Sequence, residues 1–167
     1  MPVTPFHFGP GLLLKAASPR RLSFTAFAFA NCVIDCETAW HALRHELPYH
    51  GPLHTMVVAT PVGLVAGALL GAALGRLFPR TAETHPLLRA EATALGGAIG
   101  GALGGATHPL IDGLMHRDVF PFWPFVAGNP LLGLVSRPSI YVGCVLCGLV
   151  GALLLWRAGR REKVVSA

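Results

Sequence analysis

The sequence predicts an all-α fold: an integral membrane bundle of about five helices, the first of them short and paired with the second as a hairpin. Three observations predict it. Of 167 residues, 53% are hydrophobic and 13% charged, about half the charge of a soluble chain at ~25%, and the mean hydropathy is +0.56. Apolar stretches of helical length recur along the chain between short charged or proline-rich connections. Glycine returns every fourth residue in two of those stretches, a spacing that lets helices approach closely in lipid. One membrane-embedded domain, residues 1–167, is expected. The net charge of +5 does not point to nucleic acid, because the basic residues form no patch. They stand between the apolar segments, as loop charges do. No signal peptide is expected, since Met1 to Pro10 has no basic leading region and is broken by proline and histidine.

Taken in order, Thr4 to Ala17 carries His7 and then a short apolar run of about ten residues, too few to cross a ~30 Å hydrocarbon core. Ser18 to Arg21 reads as a charged turn. Leu22 to Trp40 is a second helix, apolar until Asp35 and Glu37. A polar connection from His41 to His54 follows. Thr55 to Phe78 is the clearest span, with Pro61 expected to kink it one turn in. Within it Gly63, Gly67, Gly71 and Gly75 form a stripe. The next span, Leu95 to Met115, repeats that spacing at Gly97, Gly101 and Gly105 and doubles it at Gly96, Gly100 and Gly104. The two spans should therefore pack backbone to backbone. Pro109 is expected to interrupt the later one, because proline disfavours helical dihedrals at the preceding His108. Phe120 to Ser136 is rich in proline and aromatic residues, with Trp123 suited to the membrane interface. Ser139 to Trp156 is the last span. Cys32, Cys36, Cys144 and Cys147 lie in apolar stretches and read as small hydrophobes.

Short loops rich in Lys and Arg face the cytoplasm. Lys15, Arg20, Arg21, Arg76, Arg80, Arg89, Arg157, Arg160, Arg161 and Lys163 fall on one side, ten of the thirteen basic residues. This orientation puts the C-terminus in the cytoplasm and the N-terminus outside. It also gathers His7, Asp35, His50, His54, His108 and Asp112 at the outer end, a coincidence the charge count did not require.

Thr107 to Phe125 is the richest segment chemically. His108 and Asp112 are spaced i,i+4, so on a helix both leave one face. His116 extends that face and Asp118 follows. Such residues are costly beside a greasy segment unless they have partners. The whole chain offers H…D-x-E…H-x-x-x-H…H-x-x-x-D, a donor set suited to zinc or a similar divalent ion. Its candidate ligands are His7, Asp35, His50, His54, His108, Asp112, His116 and Asp118, enough for one or two ions. Two ions would suit phosphoester hydrolysis, one activating water and the other steadying the leaving oxygen. Asp35 and Glu37 are the candidate catalytic carboxylates, with Glu37 a general base or a support for a ligand. His41 and His45 sit beside Trp40 and Arg44 and read as interface residues. His85 falls in the middle loop, on the opposite side, and is excluded.

The ordered blocks P-F-H-F-G-P-G around His7, Asp35-x-Glu37, H-G-P-L-H-T from His50 to Thr55, and His108 to Asp112 continuing through His116 and Asp118 touch most of the chain. They resemble the bacterial membrane-bound metal-dependent hydrolases, small multi-helix proteins likened to zinc-dependent phospholipase C. The acidic block departs from that pattern: Ile34 precedes Asp35, and Glu37 takes the second acidic place. The resemblance implies a divalent metal and a substrate that is a small molecule or a lipid. It implies residence in the cytoplasmic (inner) membrane of a bacterium. A non-enzymatic metal-binding or transport protein could use the same ligands. Transporters, however, usually set their polar residues near the bilayer midplane, whereas these gather at one end.

Overall fold

A computed structural model describes residues 4–79 and 86–165. Arg80 and His85, which entered the loop and site reasoning above, lie outside the described residues. All regular structure among the described residues is helical: α1 (Phe8–Ala17), α2 (Phe24–Leu43), α3 (Met56–Leu77), α4 (Ala94–Gly113) and α5 (Arg137–Val165). Short 3-10 segments at Thr4–His7, Pro52–His54 and Pro86–Ala92 bring the helical elements above the five expected. Each contains or begins at a proline, whose missing N–H suits a single tight turn better than a longer helix.

Among the described residues two helices are long and apolar enough to cross a membrane, Met56–Leu77 with mean hydropathy 2.1 and Arg137–Arg161 with 2.2. The span expected from Leu95 to Met115 is not one of these two. It forms α4, whose glycines present bare backbone to the helices on either side, and it packs between α2 and α3. Its two glycine faces do different jobs. A Cβ on Gly97 or Gly101 would strike the carbonyl oxygen of Gly67 or Gly63 on α3, and one on Gly105 would strike that of Ala59. Cβ atoms on Gly100 and Gly104 would strike the carbonyls of Ser23, the cap of α2, and of Phe27 in its first turn. The expected backbone contact of α3 with α4 is present, and the doubled stripe adds a second close contact, with α2.

Two expectations fail on packing. The first helix does not pair chiefly with the second: α1 packs mainly on α5 and only lightly on α2. The reason lies in glycines not recognised as a stripe, since a Cβ on Gly9 would strike the carbonyl oxygen of Cys144 and one on Gly151 would meet the backbone of Leu12 at 2.5 Å. Nor does Pro109 interrupt α4, which runs through it to Gly113. Proline costs a helix one hydrogen bond and crowds the carbonyl four residues earlier. Here that residue is Gly105, and neighbouring helices enclose the buried Pro109 and hold the backbone in place.

At the other end of the bundle the buried Lys15 ammonium donates to the Leu22 carbonyl at 2.9 Å and lies 2.8 Å from Glu91. Glu91 also accepts from Ser23 Oγ at 2.6 Å and from the Phe24 and Thr25 amides, the unpaired donors at the start of α2. Burial pushes the Glu91 carboxyl pKa up. The hydrogen bonds from Lys15, Ser23 and Thr25 and the Lys15 charge outweigh that and bring it below the usual range.

Replacing Gly101 with Leu should force α3 and α4 apart and cost about 3 kcal/mol or more. Gly143→Leu is the control, because an added Cβ there meets nothing within 4 Å. Thermal unfolding in detergent checks the pair: the first variant should melt well below the parent and the second beside it.

Candidate metal centre

The glycine contacts bring the polar end of α4 against α2 and the turn that precedes α3. Asp35 comes from α2, His54 from the Pro52–His54 turn, and His108 and Asp112 from α4. One ligand atom from each of these four lies within 4.8 Å of the others. His108 Nε2 is 3.3 Å from Asp35 Oδ1 and 3.3 Å from Asp112 Oδ2, and His54 Nε2 is 3.8 Å from each of the same two oxygens. Ligands placed 2.0–2.2 Å from a tetrahedral zinc stand roughly 3.4 Å apart. The observed separations bracket that value.

Their surroundings decide how the imidazoles are turned. His108 Nδ1 is 2.8 Å from Asn31 Oδ1, while Asn31 Nδ2 donates to the Phe27 carbonyl at 2.8 Å. The Asn31 oxygen is thereby fixed as an acceptor, so His108 Nδ1 carries a proton and donates it. Nε2, turned inward, is the atom left to bind. His54 Nδ1 likewise faces Glu37 Oε2 at 3.2 Å, and Thr38 Oγ1 lies 3.3 Å from His54 Nε2. Orienting a ligand imidazole through its far nitrogen is the usual second layer of a metal site. Burial disfavours a charge on His54, but hydrogen bonding to Asp35 and Glu37 more than offsets it and raises the pKa of the ring. The pocket of donors therefore attracts positive charge.

Several buried polar atoms here have no hydrogen bond. Among the described residues these include both nitrogens of His7, His108 Nε2, Asp112 Oδ1 and His116 Nε2. Buried polar atoms are nearly always satisfied; a cation among the four donors would account for His108 Nε2, while His41 Nδ1, which is also without a hydrogen bond, lies away from the centre. The donor chemistry fits zinc: two imidazole nitrogens and two carboxylate oxygens, with His54, His108 and Asp112 almost wholly buried and Asp35 still 23% exposed.

Compared with protein-family models, with curated proteins and with solved structures, the chain matches none. The case for the centre therefore rests on its own geometry.

The remaining candidates divide. His7 stacks on His108 with ring centroids 4.4 Å apart, and its Nε2 is 3.2 Å from Asp112 Oδ1, beside the four donors but outside their group. His50, His116 and Asp118 form a second group whose ligand atoms also lie within 4.8 Å of one another. His50 Nδ1 is 2.9 Å from Asp118 Oδ2. Burial raises the Asp118 pKa, and the His50 contacts more than reverse it. Burial lowers that of His116, which favours the neutral ring a metal requires. The groups adjoin, since the His50 and His54 rings are 4.6 Å apart. Glu37 is committed elsewhere: it accepts from the Gly51 amide at 3.0 Å, the Leu53 amide at 3.0 Å and His54. It holds the turn that delivers His54. His41 lies apart, facing Glu46 at 3.4 Å.

Three contributors escaped the sequence reasoning: Asn31, Thr38 and Asn129. Asn31 precedes Asp35 by four, the same i,i+4 spacing that singled out His108 and Asp112. Asn129 Nδ2 donates to the Gly113 and His116 carbonyls at 2.7 and 3.0 Å, tying the following loop to the end of α4. No local pattern marks it.

Asn31→Leu should weaken zinc binding about 10–100-fold by releasing the His108 ring, whereas Asn31→Asp, which keeps an acceptor, should largely restore it. His41→Ala should change nothing. Competition with a chromogenic chelator measures all three.

Proposed function

We propose that this chain is a membrane-bound metal-dependent hydrolase whose His/Asp centre sits at the outer face of the bundle and acts on phosphoesters. The observation that carries the reading is the convergence of Asp35, His54, His108 and Asp112, with both imidazoles turned inward by Asn31 and Glu37. Two apolar helices of spanning length support membrane residence. The excess of Lys and Arg on one side supports a cytoplasmic C-terminus in a bacterial inner membrane. The ordered blocks resembling the membrane-bound metal-dependent hydrolases support the reaction class.

A zinc ion bound by these donors would supply a water acidic enough to act as a nucleophile near neutral pH. The chain's own residues do the rest. Asn31 and Glu37 hold the ligand rings, Asp35 keeps the group open to solvent, and Glu37 fixes the backbone of the His54 turn. The adjoining His50, His116 and Asp118 could hold a second cation, which in hydrolysis would steady the leaving oxygen.

A structural ion is the competing reading, favoured by four protein donors of which three are at most 2% exposed. One experiment separates the two. Chelation of purified protein should abolish hydrolysis of p-nitrophenyl phosphate esters, with recovery on adding zinc, while helix content and melting temperature change little. Loss of the fold on chelation supports the structural ion, and hydrolysis that survives complete metal removal overturns the proposal.

A further inference from the structure

Beyond the metal centre lies a cavity of 220 Å³ formed by the loops at the same end of the bundle. Pro48, Pro52, Phe120 and Trp123 are its apolar lining, and His50 and Asp118, 2.9 Å from each other, are its titratable lining. His50 is the link. Its side chain lines the cavity, and its ring lies 4.6 Å from the ring of His54. A molecule in the cavity therefore has its apolar part among proline and aromatic side chains and its reactive end beside the donors.

The size of the space narrows the occupant. Pockets that enclose a whole small molecule hold about 300–1,000 Å³, so this one takes part of a ligand. Its rim is apolar: Phe120 is 42% exposed and Trp123 54%, and Phe125 and Val126 of the same loop are exposed as well. Aromatic residues so placed sit at the boundary between headgroups and acyl chains. A chain leaving the cavity there would continue into the bilayer.

We infer that the cavity is the chain-binding subsite of an enzyme acting on phosphate esters of long-chain alcohols, with the ester held between His50 and the four-donor centre and the first methylenes of the chain between Phe120 and Trp123. This rests on the hydrolase reading above and names its substrate class. In the reaction, water oxygen bonds to phosphorus as the phosphorus–alkoxide bond breaks. The proton from water ends on the alkoxide. The alcohol stays in the bilayer and the phosphate leaves to solvent, so the two products separate by polarity.

The test uses the full chain, loaded with zinc, in phosphatidylcholine nanodiscs, with decylphosphonate and ethylphosphonate as non-hydrolysable probes. Two buried methylenes are worth roughly tenfold in binding. The parent should therefore bind the decyl probe at least about tenfold more tightly than the ethyl probe. Trp123→Ser should cut that ratio about tenfold and Trp123→Phe should keep it. Partition of the probe into lipid is common to all three proteins and cancels in the comparison. An unchanged ratio in Trp123→Ser, or none in the parent, overturns the subsite. Zinc content measured on the same samples reports separately on the hydrolase reading: a parent that never holds zinc overturns both, whereas a zinc-loaded parent without chain discrimination overturns only the subsite.

Discussion

Backbone contact between α4 and its two neighbours is the constraint on which the rest depends. In the membrane setting proposed above, helices gain little from burying apolar side chains, because the solvent is as apolar as they are. Association then rests on packing and polar contacts, and a glycine face allows the closest packing. α4 has two such faces, one against α3 and one against α2. Because both are used, its rotation and height are fixed relative to both partners. His108 and Asp112, one turn apart at its end, are thereby set opposite Asp35 and beside the turn that carries His54. A bulkier α4 would hold His108 and Asp112 away from Asp35 and His54.

Once the donors are fixed, electrostatics explains the layer around them. Carboxylates and imidazoles brought together away from water are tolerable if their charges balance and their hydrogen-bonding atoms are used. The outer atoms are used: His108 Nδ1 by Asn31, His54 Nδ1 and two loop amides by Glu37, His50 Nδ1 by Asp118. The inner atoms face one another, His108 Nε2 against two carboxylate oxygens without hydrogen-bond geometry. A cation among them resolves that arrangement. The contrast with Lys15 and Glu91 is instructive. There the buried charges are opposite, 2.8 Å apart and hydrogen-bonded within the protein, and nothing further is called for.

Much of this was legible because two periodicities are local. Glycine every fourth residue and His/Asp pairs four apart both name a helix face, and both faces are where the spacing put them. What was not legible depended on three dimensions. The partner of α1 turned on Gly9 and Gly151, separated by most of the chain. Asp35-x-Glu37 reads as a pair of carboxylates in which Glu37 is either a general base or a support for a ligand, and only the fold shows that Glu37 supports the His54 turn. Pro109 was expected to break a helix that tertiary packing holds straight through it. Asn31 had the right spacing but no charge to draw attention.

The central claim is that the four donors Asp35, His54, His108 and Asp112 bind one divalent cation. X-ray absorption at the zinc edge of purified, zinc-loaded protein tests it most directly. The account predicts a first shell of nitrogen and oxygen at about 2.0–2.2 Å, with the outer-shell scattering of two imidazoles, and loss of one imidazole in His108→Ala. A spectrum of hydrated zinc, or one unaltered by His108→Ala, would contradict it.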